Sequence, residues 1–277
     1  MGKAPLRTRG RDVKMFQRKV CLMYRSLFPN GRLFPEPLDD IVHRYSGQKR
    51  ARYQRELDLY RTHGLSSFKL SFTGAPKNGE RSERPRALMV QSANGFVDGK
   101  YRRTQIPILV ELQVAYAVQA AMHDYRNADG SRVFATGMNQ NKRAKEMQKR
   151  LKPGWTAFML DVSSFDGNQR HAKLAVISRQ ELLHYVDDRD MRTVLLQQNN
   201  VRVSNPGCKC SLGGIRASGT GGTATQNKMV MIAALETAMS GVRPEDRNFL
   251  CDGDDTLVFV KDEQMHYISR WERTMVR

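Results

Sequence analysis

Between Gln105 and Tyr125 the positions Ile108, Leu112, Tyr116 and Ala120 recur every fourth residue, the spacing of one helix face, so a long helix is predicted there. The shorter apolar run Ala87-Leu88-Met89-Val90 precedes it and reads as a strand. After Pro153-Gly154 the texture changes. Ala157-Phe158-Met159-Leu160 is continuously apolar, the pattern of a strand buried on both faces, and it stops at Asp161. Lys173 to Tyr185 then reads as a helix. Gly207 to Gly222 holds six glycines and is predicted to be a loop. Thr223 to Met239 predicts a further helix, closed by Gly241 and then Pro244. Phe249-Leu250 and Leu257-Val258-Phe259-Val260 flank a Gly-Asp turn, the signature of a β-hairpin. Glu263 to Arg277 reads as helical.

The N-terminal side is less patterned. Residues 1–60 are the most basic and least regular part, either a solvated helical surface or a wall facing nucleic acid. A loop rich in glycine, proline and charge is expected from Gly74 to Pro85. Over the 277 residues, 46 Lys and Arg outnumber 28 Asp and Glu, a formal net charge of +18. Such an excess favours a polyanionic partner, because bound phosphates release their counterions. No apolar run is long enough to cross a bilayer, and the start of the chain lacks the apolar core of a signal peptide. Four scattered cysteines, Cys21, Cys208, Cys210 and Cys251, suit a reducing compartment better than a disulfide scaffold.

The acidic residues carry the chemistry. Asp161 ends an apolar run, and Asp166 follows in Asp-Val-Ser-Ser-Phe-Asp. Asp254 and Asp255 stand at the tip of the predicted hairpin. An unpaired buried carboxylate carries a heavy desolvation cost, so carboxylates at the ends of buried strands call for a compensating charge. Magnesium takes oxygen ligands and keeps room for substrate phosphates. Two such ions stabilise the attacking and leaving oxygens of phosphoryl transfer. Gly-Asp-Asp alone is also an ordinary polar turn; it gains weight only beside Asp161, Asp166 and the glycine loop. In that loop Ser218-Gly219-Thr220-Gly221-Gly222 runs into the predicted helix, where Thr223 and Asn227 share one face. A helix N-terminus helps to hold phosphate or sugar oxygens; an ordinary loop before a capped helix is the plainer alternative. The Lys-Ser/Thr ending of a P-loop is missing.

Taken together these residues resemble the RNA-dependent RNA polymerases of positive-strand RNA viruses. Asp161 to Asp166 resembles polymerase motif A. Ser218, Gly219, Thr223 and Asn227 resemble motif B, and Gly253-Asp254-Asp255 resembles motif C, in the family's order and approximate spacing. The stretch from Phe68 through Gly137 is similar to the tombusvirus-like group, where a basic loop with a Pro-Arg step, here Pro85-Arg86, forms motif F before a strand and a long helix. The basic residue that commonly closes that strand is replaced: Ser92 follows Gln91.

The resemblance implies an α+β, right-hand polymerase fold with fingers and palm, and an antiparallel palm sheet covered by helices. Residues 1–155 would form the fingers region and 156–277 the palm, with parts of 167–215 open to assignment to the fingers. Motifs D and E and a thumb are expected to be absent, as in a fragment. By the same resemblance Asp161 and Asp254 would hold two Mg2+ (or Mn2+) ions, with Asp255 close by and the carbonyl of Val162 as an added ligand. Asp166 and Asn227 would read the ribose 2′-hydroxyl. Ser218, Gly219 and Thr223 would shape the nucleotide-facing loop, and Arg86, with Lys77 or Lys69, would meet the triphosphate. The partners would be template and product RNA, ribonucleoside triphosphates and other viral replication proteins. The site of action would be the host cytoplasm, at membrane-associated replication sites. Two other readings stand beside this one. A reverse transcriptase is disfavoured by Asp166, where such enzymes usually carry a bulky aromatic, and a non-catalytic RNA-binding or capsid protein leaves the carboxylates without a task.

Overall fold

The strands of the described residues fall into two sheets, one of five strands and one of three. The computed structural model describes residues 10–65, 68–76, 87–97, 100–162, 165–170, 172–205, 208–217 and 219–267. The chain begins with α1 (Gly10–Leu27), α2 (Leu38–His43) and α3 (Gly47–His63), then β1 (Phe68–Pro76), β2 (Ala87–Val97) and β3 (Lys100–Thr104). It continues through α4 (Ile106–Met122), α5 (Gln140–Arg150), β4 (Trp155–Leu160), α6 (Phe165–Asn168), α7 (Leu174–Leu182) and α8 (Arg189–Gln197). A hairpin of β5 (Asn200–Asn205) and β6 (Cys208–Gly213) leads to α9 (Thr223–Ala238), and β7 (Arg247–Asp252) and β8 (Asp255–Lys261) follow.

Two compact units divide these elements, and the chain passes back and forth between them. The first comprises Met1–Gly31, Val118–Phe165 and Ala224–Arg277; the second comprises Arg32–Ala117 and Asp166–Thr223.

In the first unit the sheet order is β4-β8-β7, all antiparallel. The two-residue connection Gly253-Asp254 joins β7 to β8. Gly253 has φ +82°, a left-handed conformation suited to the first central position of a tight hairpin turn. The outer side of β7 is not left open. Asn127 holds Phe249 through both of its amide groups, accepting from the Phe249 N–H at 2.9 Å and donating to its carbonyl at 3.1 Å. The segment Val133–Ala135 then bonds both backbone groups of Cys251. Pairing of this kind satisfies the polar backbone of a strand buried along its length. Ala135, Met138, Leu250 and Phe259 pack as one cluster, with the buried Arg150 guanidinium over the Phe259 ring. α9 is buried almost all round, from Thr225 to Ala233.

In the second unit the five-stranded order is β3-β2-β1-β5-β6. Ile108, Leu109 and Leu112 of α4 pack with Ile41, Val42, Tyr53 and Leu57 of α2 and α3. Asp188 caps α8 by accepting from the Met191 N–H at 2.9 Å, the usual task of an Asp at that position.

The helix over 105–125, the helix from Thr223 and the hairpin about Gly253-Asp254 form as expected. Five expectations need correction. The apolar run 157–160 is not buried on both faces: β4 is an edge strand, and Met159 is 77% exposed. Asp161, two residues on, is likewise exposed, so it is the open face of an edge strand that presents it. The first half of the glycine run, Cys208–Gly213, is strand β6, because β5 offers it a full antiparallel register. Residues 10–60, expected to be irregular, are largely helical in α1, α2 and α3: α1 buries Phe16, Val20, Met23, Tyr24 and Leu27 on one face, an amphipathic pattern hidden by the basic residues between them. Gly74 to Pro76 ends strand β1 rather than starting a loop. The expected helix over 263–277 begins as a 3-10 turn, Asp262–Tyr267, and its remainder lies outside the described residues.

Phe259→Ala should cost about 3–5 kcal/mol, the range for emptying an aromatic site in a core. Met159→Ala should change stability by no more than about 0.5 kcal/mol, as expected of an exposed position. Urea denaturation of the two variants checks both.

Candidate active site

The register of the three-stranded sheet assembles the acidic residues. Leu160, the last residue of β4, lies opposite Thr256, so one further step sets Asp161 opposite Asp255. On the other side of β8, Asp255 faces Asp252 across the hairpin, and Asp254 stands in the turn between them. Four carboxylates from two separated stretches of chain are thereby gathered at one end of one sheet. The electrostatics reflect this. Partial burial, and then the negative charges of Asp254, Asp161 and Asp252, raise the Asp255 carboxyl above its usual range. Like charges so placed disfavour ionisation until a cation offsets them.

Asp252 is the exception, because it is already neutralised. Lys228 of α9 reaches its Oδ1 at 3.1 Å, and Arg143 of α5 its Oδ2 at 2.6 Å. The Lys228 ammonium is buried and also donates to Thr136 Oγ1 at 2.9 Å. Arg143 donates in addition to the Met138 carbonyl at 3.2 Å. No cation is paired in this way with Asp161, Asp254 or Asp255 among the described residues. Sequence reasoning missed Lys228, Arg143 and Asp252. One signal was available: Lys228 is the lone basic residue of α9 and directly precedes its apolar run Met229–Leu235, and a lysine in that setting needs a partner.

Among the described residues no three His, Cys, Asp or Glu side chains form a ready-made metal cage. The donors still suit a hard divalent ion. They are all oxygens, they share one end of a sheet, and no ion pair among the described residues relieves their mutual repulsion. Magnesium sites of this type are completed by substrate phosphates and water. Cys251, beside the turn, is buried and donates to the Gly253 carbonyl at 3.5 Å. Burial pushes its thiol up to about 12, so it serves as a packed side chain rather than a ligand.

The other expected residues are distributed as follows. Val162 directly follows Asp161 and is half-buried. Asn227 is buried in α9, in the same unit as the carboxylates. Asp166, Gly219 and Thr223 belong to the second unit. Asp166 lies in the first turn of α6, and its carbonyl accepts from the Arg216 N–H at 3.1 Å. Gly219 has φ +86°, a conformation that glycine adopts without strain. Thr223 donates to the Ala217 carbonyl at 3.1 Å and meets Thr220 Oγ1 at 2.9 Å, which ties the loop to the start of α9. Lys69 lies on β1 opposite Asn94. Lys77, Arg86 and Ser218 lie outside the described residues.

Comparison with known families adds one finding. Residues 14–277 match the model of a family described as viral RNA dependent RNA polymerase. No curated protein matches the chain.

Lys228→Met should destabilise the chain by about 1–3 kcal/mol, because it leaves the Asp252 carboxylate short of a partner. Adding Asp252→Asn to that variant should recover part of the loss, since residues of one network are not additive. Denaturation midpoints of the two single variants and the double variant measure the coupling.

Proposed function

The chain belongs to the viral RNA-dependent RNA polymerase family, and from that premise we propose that Asp161, Asp254 and Asp255 form its nucleotidyl-transfer site. As a member it is an RNA-directed RNA polymerase that acts in replication of a viral RNA genome. The observation that carries the site is the sheet register, which brings Asp161 level with Asp255 beside the Gly253-Asp254 turn. In this reading residues 156–277 form the palm and residues 1–155 the fingers region of a right-hand polymerase of the tombusvirus-like group, with parts of 167–215 open to assignment to the fingers.

Asp161 and Asp254 would hold two divalent ions, Mg2+ or Mn2+, with Asp255 beside them and the Val162 carbonyl as a further donor. Bound there, such ions stabilise charge on the attacking and leaving oxygens. The chain's own residues position the reactants. The 3′-hydroxyl of the growing strand attacks the α-phosphate of a ribonucleoside triphosphate and pyrophosphate leaves, so no side chain acts as nucleophile. Positioning and electrostatics supply the acceleration. The exposed face of β4 leaves Asp161 open to a substrate of this size.

Asp166 and Asn227 would recognise the ribose, since a carboxylate accepts from a 2′-hydroxyl and an amide bridges the two. Gly219 and Thr223, with Ser218, would shape the loop against template and nucleotide. Arg86, with Lys77 or Lys69, would meet the triphosphate. The +18 formal charge supports long contacts with template and product RNA. Among the described residues no helix is long and apolar enough to cross a membrane. The chain's place of work would be membrane-associated replication sites in the host cytoplasm, in company with other viral replication proteins.

Asp254→Asn should abolish nucleotide incorporation and leave RNA affinity within about twofold, because one charge in so basic a chain hardly alters counterion release. Near wild-type polymerisation by this variant would refute the site. Asp166→Ala should lower the preference for ribonucleotides over deoxyribonucleotides by about tenfold to a hundredfold, as for loss of a hydrogen bond worth about 1–3 kcal/mol. Matched single-nucleotide incorporation assays read that ratio. An equal fall on both substrates would assign Asp166 a general structural part instead.

A further inference from the structure

Glu111 is the lone charged residue of the mostly apolar helix α4. Helical spacing sets Ile108, Glu111 and Leu112 on one face, and that face meets the glycine loop that precedes α9. Gly221 lies so close to the helix that a Cβ there would stand 3.0 Å from the Ile108 carbonyl oxygen, 3.1 Å from Leu112 Cγ and 3.2 Å from Leu112 N. The Glu111 side chain is buried, and its Oε2 accepts from the Gly221 N–H at 2.8 Å.

A carboxylate in such a place is costly unless hydrogen-bonded. Burial raises the Glu111 carboxyl above its usual range, and the Gln198 side chain, the Gly222 backbone, the Arg216 charge and Thr220 pull it back. Arg216 is itself buried and donates to Gln169 Oε1 at 3.3 Å. The loop is thus docked by two independent features. One is the close approach that only a glycine permits at 221, and the other is the buried acceptor that meets the Gly221 N–H.

We propose that Glu111 is a positioning residue for polymerisation, which fixes the Gly219–Thr223 loop against α4 and so sets the geometry that the loop offers to nucleotide and template. This rests on the polymerase reading of that loop. Glu111 touches no substrate; it acts through the Gly221 amide.

The test uses the full chain and three variants. Glu111→Gln keeps an acceptor oxygen for Gly221. Glu111→Ala removes it. Gly221→Ala pushes the loop off the helix and leaves Glu111 in place. Hydrogen exchange at the amides of 219–223 reads loop position without reference to activity, and KM and kcat for ribonucleotide addition read its consequence.

Glu111→Ala and Gly221→Ala should each speed exchange in the loop by about tenfold or more, the scale of losing one charge-assisted hydrogen bond. Protection in α7 and α8 should stay unchanged, KM for nucleotides should rise more than kcat falls, and Glu111→Gln should restore most of both. Loop exchange at the wild-type rate in Glu111→Ala would overturn the proposal. So would a rise spread evenly over the whole unit, which marks a general packing role. If Glu111→Ala fails to fold, Gly221→Ala decides: wild-type kinetics with a displaced loop would overturn the proposal, and a raised KM supports it. A failure of the polymerase reading looks different, since loop exchange would respond as stated while the wild-type chain incorporated no nucleotide.

Discussion

Repulsion among carboxylates at one end of a three-stranded sheet is the constraint around which the first unit is organised. Four of them lie within a few register positions: Asp161, Asp252, Asp254 and Asp255. Among the described residues, ion pairs neutralise only one. Lys228 and Arg143 converge on Asp252 from two helices, and the Asp255 carboxyl stays raised by partial burial and then by its neighbours' charges. The selectivity is informative. A fold that needed only stability would spread these charges or pair them all. Here Asp252 is held as part of the scaffold, and the other three are left as a concentrated negative field that a divalent ion would relieve.

The scaffold that holds this field is backbone pairing. Asn127 and Val133–Ala135 close the outer side of β7, and β8 joins β7 to β4. A one-residue slip in β4–β8 would turn every side chain of β4 to the other face and carry Asp161 away from Asp255. The apolar residues of that hairpin, Leu250 and Phe259 among them, serve the chemistry by fixing the register. Arg150 packs over Phe259 while its guanidinium donates to the Arg132 carbonyl at 2.7 Å, so even the buried charge of this core is spent on holding the strand layer.

Much of this was legible in the sequence where local pattern and final environment agree. The hairpin around Gly253-Asp254 and the helix from Thr223 carry their own turn and capping signals, and both form where those signals stand. The acidic residues were legible because carboxylates at strand ends are chemically conspicuous. What stayed hidden depends on partners distant in the chain. Ala157-Phe158-Met159-Leu160 is equally apolar on both faces, so nothing local shows that one face is an open edge. Cys208–Gly213 contains turn formers, yet β5 recruits it into a sheet. The apolar stripe of α1 is interleaved with arginine and lysine, and the partners of Lys228, Asp252 and Glu111 lie 24 to 110 residues away. Of the expected nucleotide contacts, Arg86, Lys77 and Ser218 lie outside the described residues.

The central claim is that Asp161 and Asp254 together bind the ions of nucleotidyl transfer. Its most direct measurement is anomalous diffraction from crystals of the chain grown with manganese and a ribonucleoside triphosphate. Two manganese peaks about 4 Å apart are expected, the spacing of a two-metal clamp, with carboxylate oxygens of Asp161 and Asp254 as ligands and Asp252 still paired with Lys228 and Arg143. Manganese bound to Asp252 instead, or no manganese at the end of the sheet where Asp161 meets Asp255, would contradict it.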